Sequence, residues 1–457
     1  MRYLGATLVL ASLSLTTLQA QVHIDARGLG LCNAYTVTSR GISSVGHNPA
    51  NLGFTDEVGM SADLFDFNVT ARNNFMSLAL FNQYFTGDIN GDPVDLEEKM
   101  PGRDKTHKEY LLEHLPEEGF AVGLGMTLPI PLLNISYGNY AFSSGLEYYQ
   151  NNTIPRGLFQ MVMDGNVVGQ SLDLTLSQDV ILITNIGFSF AIPFENFNLG
   201  TSVKYLMGLG FAGVDSSGGS FSTRSTGLES DGFYRYTRAI GGNGLAVDIG
   251  FTSQKRDNFQ YGVAINNIIG LMHWGSENNL IAKNISAIEG IIPVRSLLGI
   301  SADSANYSES TLYTMDMENV NVTGAFENTD SLFALSEESV PVPASINMNY
   351  PAILRLGASY QYEEDFIVMA DLSAGLDDYY FADRRWRLAL AAEWIRFKMV
   401  PLRSGFAIGG PYGKEASLGA GFHLLWFDAD VAVKFLGGMS ITGAQGIEFG
   451  INMKFKM

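Results

Sequence analysis

Six histidines, His23, His47, His107, His114, His273 and His423, are the first residues to test for chemistry. A zinc-binding helix needs two histidines four residues apart, one turn along the same face. His107 and His114 are seven apart, which places them on one face of a solvated, charged helix without that spacing. Cys32 is the single cysteine, so an intramolecular disulfide framework and a cysteine-rich metal site are both excluded. No G-x-S-x-G nucleophile elbow and no Cys/His pairing occurs. Gly208, Gly210 and Gly213 match a G-x-G-x-x-G pattern, but they end a strand and open no helix. Turn and strand-end glycines account for them better than a phosphate cradle. Asp88-Ile89-Asn90-Gly91-Asp92 begins like a calcium loop. Pro93 then stands where the turn glycine belongs and Lys99 where the bidentate acid belongs, so an acidic turn is the reading. The expectation is no catalytic activity, no cofactor and no resident metal.

Charges on the polar phase of alternating segments form a second chemical class: Arg355, Asp371, Arg385, Arg387, Glu393, Asp428, Asp430 and Lys434. Two readings stay open. Opposite charges can pair across an enclosed lumen and pack it shut. Alternatively Arg355, Asp371, Arg385, Arg387 and Glu393 orient the head group of an amphipathic ligand.

The elements that would hold these residues are strands. Phe120, Val122, Leu124, Met126 and Leu128 alternate with Ala121, Gly123, Gly125 and Thr127. Near the end of the chain, Ile447, Phe449, Ile451, Met453 and Phe455 alternate with Glu448, Gly450, Asn452 and Lys454. A period of two puts each set on its own face. Charge facing hydrocarbon is costly and charge facing an aqueous lumen is cheap, so the pattern separates a lipid face from a lumen face. Aromatic pairs such as Phe65 with Phe67, Trp426 with Phe427, and the run Tyr379, Tyr380 and Phe381 suit girdles at the two membrane interfaces.

Composition agrees. Charged residues are 16% of 457, against 50 glycines and 12% aromatics, where soluble proteins carry about 25% charge. A formal charge of −19 argues against nucleic acid, whose backbone selects a basic surface. Residues 1–20, with Arg2, an apolar run from Ala6 to Leu18 and Ala20 before Gln21, read as a secretory signal peptide. No uninterrupted apolar stretch is long enough for a membrane-spanning helix.

The expected architecture is an all-β, transmembrane antiparallel β-barrel of about fourteen strands, with a few short helices in insertions. Residues 21–55 form an N-terminal segment and 56–457 the barrel, with insertions at 86–118, 150–178 and 275–350. Helices are expected around Lys105–Leu115 and Leu158–Met163. Hairpins are read at 57–70 with 73–85, 119–129 with 132–142, 183–194 with 196–211, 240–253 with 258–272, 351–362 with 365–376 and 385–397 with 403–410. The last strands are 415–426, 428–438 and 445–456.

At His47-Asn48-Pro49-Ala50-Asn51-Leu52-Gly53 the chain resembles the FadL-like superfamily of outer-membrane proteins, and more closely an uncharacterised FadL-related family. Further matches are Tyr84-Phe85-Thr86-Gly87-Asp88, Leu115-Pro116-Glu117-Glu118-Gly119, Asp164-Gly165-Asn166, Lys204-Tyr205-Leu206-Met207-Gly208, Gly244 to Gly250, Asn267-Ile268-Ile269-Gly270 before Trp274, and Pro351 to Asp371. The resemblance covers most of the mature chain through motifs that are each weak alone. It implies a fourteen-stranded barrel with an N-terminal hatch in which Asn48, Pro49 and Ala50 gate the lumen. It also implies a bacterial outer-membrane location among lipid. Two functions follow from it: passage of a hydrophobic ligand, fatty-acid-like or aromatic, or a non-transporting, secretion-associated barrel that binds cell-envelope proteins.

Overall fold

A computed structural model describes residues 25–87, 93–129, 133–165, 167–274, 296, 298, 307–320, 335–340, 346–377, 382–397 and 399–457. Residues 1–20, the calcium-like turn Asp88–Asp92, the aromatic run Tyr379–Phe381 and most of 275–350 lie outside the described residues.

The strands in chain order are β1 (Met60–Asn73), β2 (Phe120–Pro129), β3 (Ile135–Tyr137), β4 (Tyr140–Ile154), β5 (Ser171–Asp173), β6 (Ser177–Pro193) and β7 (Phe197–Arg224). Next come β8 (Gly227–Ile240), β9 (Gly242–Ser253), β10 (Phe259–Trp274), β11 (Tyr307–Val320), β12 (Leu335–Val340) and β13 (Ile346–Asn349). The last are β14 (Ile353–Glu363), β15 (Phe366–Gly375), β16 (Arg387–Trp394), β17 (Leu402–Gly409), β18 (Gly413–Leu424), β19 (Phe427–Leu436) and β20 (Gly446–Lys456). Fourteen of them close a wall. β1 pairs with β2, then β4, β6, β7, β9, β10 and β14 to β20 follow in turn. β20 returns to pair with β1. Every pairing is antiparallel, and closure leaves no edge for lipid to meet.

The alternation decides the faces. Leu388, Leu390 and Trp394 on β16 point outward and are exposed, while Ala389 and Glu393 between them are buried. The same holds for Leu418 and Phe422 against Glu415 and Ser417, and for Ile447, Phe449 and Met453 against Glu448, Asn452 and Lys454. An apolar outer band of this kind belongs in a bilayer. Among the described residues no helix is long and apolar enough to cross a membrane; the strands make the crossing.

The two mouths differ. At one, β1 begins, β20 ends, and β6–β7, β9–β10, β14–β15 and β18–β19 are joined by short turns. The other carries the connections from β1 to β2, β4 to β6, β10 to β14 and the upper extension of β7, a strand of 28 residues. On that extension β5, β8, β11 and β12 build a sheet beyond the wall. Helix α1 (Ala26–Gly30) lies inside the barrel, while α2 (Leu78–Phe81), α3 (His107–His114) and α4 (Arg156–Asp164) belong to the long-connection mouth.

Three expectations are corrected. No strand runs over 73–85: the Ser77 hydroxyl caps Leu80 and starts α2, and Phe75, Met76, Leu80 and Tyr84 pack against Leu111 and Leu115 rather than lipid. The second strand of the 119–129 hairpin is not 132–142. β3 carries β2 on along the wall, pairing with β1 at Met60–Ala62, and the partner strand is β4. Finally, the extension of β7 and the whole of β8 were absent from the reading. Their runs of Gly, Ser and Thr offer few large residues to mark a period of two.

Candidate functional site

Residues 25–54 lie inside the barrel and nearly all are buried. Asp25 caps α1, its carboxylate accepting the Gly28 N–H at 2.7 Å and pairing with Lys454. Gly30 meets Gly419 of β18; a Cβ on either would come within 3.0 Å of the other's Cα. Helix and wall therefore touch backbone to backbone. Asn48, Pro49 and Ala50 press on β7 and β9. The Asn48 amide donates to Thr36 O (3.1 Å), Phe251 O (3.1 Å) and Thr252 Oγ1 (2.8 Å), and its oxygen accepts the Ala50 N–H at 3.1 Å. Pro49 opens a tight turn to Gly53, as its fixed φ allows. Gly200 and Gly250 make room: a Cβ there would lie 2.3 Å from Ala50 N and 2.0 Å from Asn48 Oδ1.

The charges chosen from sequence divide. Asp371 accepts the N–H groups of Tyr35 and Thr36, each at 2.9 Å. Arg387 holds Glu415 at 2.7 Å and donates to Cys32 O at 2.8 Å. Glu393 accepts from Arg27 and Arg403, each at 2.6 Å, and Arg403 continues to Asp430 at 2.5 Å. Arg355 donates to Asn266 at 3.0 Å. Four of the five thus bind the inner segment or each other's neighbours. Arg385 stands apart. It precedes β16, its side chain is 65% exposed, and it pairs with Asp383 two residues back at 2.6 Å. The strand starts two residues later than the alternation suggested, so Arg385 sits at the mouth instead of the lumen.

Above the inner segment, toward the long-connection mouth, the lumen holds an apolar cluster. Ile181, Ile183, Leu206, Phe211, Met272 and Trp274 form one buried cluster with Tyr350, and the Phe211 and Trp274 rings lie 5.8 Å apart. Its floor is polar and closed. Buried Lys204 reaches Asp248 at 2.8 Å and Asn267 at 2.6 Å. Glu147 accepts from Asn185 and from the Tyr350 hydroxyl, each at 2.6 Å. Sequence reasoning missed this layer. Lys204 and Leu206 share a phase on β7, and an apolar residue pointing inward blurs the sorting of faces.

The wall is irregular beside this compartment. β10 changes register between Ile265 and Ile269, with Asn267 at φ +54°, where a non-glycine residue is strained. Its side chain compensates by bonding Lys204 and Pro351 O. In the second wall position β2 ends at Pro129 and pairing resumes at Ile135. Among the described residues no cluster of His, Cys, Asp or Glu is arranged to hold a metal.

Comparisons with known proteins give structural likeness at low identity. A FadL homologue of Pseudomonas aeruginosa aligns over 96% of this chain and 99% of its own, with 14% identity and a TM-score of 0.49. The toluene transporter TbuX of Ralstonia pickettii aligns over 94% and 98%, with 13% identity and a TM-score of 0.47. The toluene transporter TodX of Pseudomonas putida aligns over 97% and 99%, with 11% identity and a TM-score of 0.47. No protein-family model and no curated protein matches the chain. The fourteen-strand closure is a property of this chain's own pairings.

Proposed function

We propose that this chain is a bacterial outer-membrane barrel that passes hydrophobic small molecules, fatty-acid-like or aromatic. The observation that carries the reading is the buried apolar cluster of Phe211, Trp274, Leu206 and Met272 inside the barrel, beside the buried Lys204–Asp248 pair. A lumen serving only as a rigid scaffold has no need of an apolar cluster set apart from its charged one. Aromatic and aliphatic side chains with a few polar groups at one end are the usual lining of a site for a hydrophobic ligand. In this reading Asn48, Pro49 and Ala50 form a hatch, and Arg355, Asp371, Arg387 and Glu393 hold it shut by bonding the inner segment and its neighbours. The bulge in β10 is where the wall's pairing loses continuity, and a side exit would form there.

A second reading, a non-transporting, secretion-associated barrel, draws on a different observation. The ion pairs Arg403–Asp430, Arg387–Glu415 and Lys434–Glu448 fill one side of the lumen, and the sheet on β7 rises beyond the wall as a surface for protein partners.

Uptake of a radiolabelled long-chain fatty acid and of a monoaromatic hydrocarbon into cells producing the protein, compared with cells lacking it, separates the two. Faster uptake of either that is abolished by Phe211→Asp supports passage. Equal uptake of both probes overturns it. Deleting 22–50 should leave a folded barrel with raised passive leak, and unchanged permeability would refute the hatch.

A further inference from the structure

The inner segment is bonded to the wall unevenly. Toward β9, β15, β16 and β18 it is tied by Asn48, Asp371, Arg387, Glu393 and Ser417. Toward β1 and β20 it is bonded near the short-turn mouth, at Ser61 and Lys454.

Farther up that side, a row of inward polar atoms has no hydrogen-bonding partner. The row comprises Asp66 Oδ2, Asn68 Nδ2, Thr70 Oγ1 and Arg72 Nε on β1, then Glu448 Oε1 and both amide atoms of Asn452 on β20. Asp66 and Asn452 are direct cross-strand partners. Asn452 also faces Asp430 of β19 and is fully buried. Gly450 packs against Asn68 on one side and against Leu29 and Ala26 of α1 on the other. An apolar helix face thus lies over a polar row. Buried donors and acceptors are almost always paired, and leaving them dry costs free energy that water would recover. Inward residues recur every second position along a strand, about 7 Å apart, so the row climbs the wall as a ladder. Below it, Ser61 and Lys454 line a charged cavity of about 640 Å³ at the short-turn mouth.

We propose that the seam between α1 and the β1–β20 wall is a second, polar route through the barrel, taken by water and small monovalent cations. Leu29 and Ala26 separate from Gly450, the unpaired groups become hydrated, and the path joins the cavity at the short-turn mouth. Two carboxylates, Asp66 and Glu448, stand in the row against one guanidinium, Arg72, which sets the preference for cations. The route is distinct from the apolar cluster, whose aromatic residues Phe211 and Trp274 lie on β7 and β10.

Single cysteines in a Cys32→Ser background of the full-length protein, reconstituted in liposomes, test this. Asn68→Cys and Asn452→Cys should react with a small cationic methanethiosulfonate reagent at least tenfold faster than Ala389→Cys, which is equally buried but lies on the bonded side. They should also react faster with it than with an anionic analogue. Rates equal to that of Ala389→Cys, or no reaction at any of the three positions, would overturn the proposal. In planar bilayers the unmodified protein should pass a small cation-selective current in potassium chloride, cut several-fold by Asn452→Leu. No current, an anion-selective one, or one that Asn452→Leu leaves unchanged would equally refute it. Because Asn452 is remote from Phe211 and Trp274, hydrophobic uptake should survive Asn452→Leu, so failure of the polar route and failure of the apolar one are read separately.

Discussion

The two halves of the wall are built on different terms. From β14 to β20, neighbours pair in near-continuous register, with one shift at the β14–β15 turn. The lumen face of that half is a set of ion pairs. From β1 to β10, register shifts occur in β1, between β6 and β7, and in β10. There the connections at one mouth are long, and the lumen face is polar except for one buried apolar cluster around Phe211 and Trp274. The contrast teaches that regular pairing and paired charges make a rigid cradle for the inner segment. The irregular half holds the apolar cluster and most of the register shifts in the wall.

The comparison can be broken first at Arg403. Replacing it with Met leaves Glu393 short of one partner and Asp430 without its guanidinium in a buried network. The cost should be about 3–5 kcal/mol, seen as a lower urea midpoint for loss of the folded band in detergent. A change under about 1 kcal/mol would mean that the regular half is not held by its charges. Next in size is Gly250→Ala, which drives a methyl group into the Asn48 amide. A loss of about 1–3 kcal/mol is expected from overpacking, with residues 25–54 becoming cleavable by added protease while the barrel stays intact. Resistance equal to the wild type would show that the inner segment is anchored by its bonds to the regular half alone. The smallest effect is expected at Lys105, whose pair with Glu113 is open to solvent on both sides. Lys105→Ala should cost about 0–1 kcal/mol and leave uptake unchanged; a larger loss would show that charge pairs outside the lumen also hold the fold.

Legibility in the sequence followed the same division. The strands of the regular half were readable nearly to the residue, since large apolar and charged residues alternate there without interruption. In the irregular half, the pattern predicts a strand over 73–85 where Ser77 caps a helix, and one strand over 132–142 where β3 and β4 are separate. Bulges and helix caps disturb a period of two without leaving a mark on composition. The site was legible in kind. Asn48, Pro49 and Ala50 do form a turn within the barrel, yet Lys204, Asp248 and Glu147 went unnoticed because their strands carry apolar residues on both phases.

What the sequence determined alone is the local sorting: which residues turn toward lipid and which turn inward, because that needs only the alternation of neighbouring side chains. What the tertiary structure decided is which inward groups meet. Arg27 and Glu393 are 366 positions apart in the chain. They pair because closure of fourteen strands wraps the wall around the N-terminal segment, and no local pattern carries that distance.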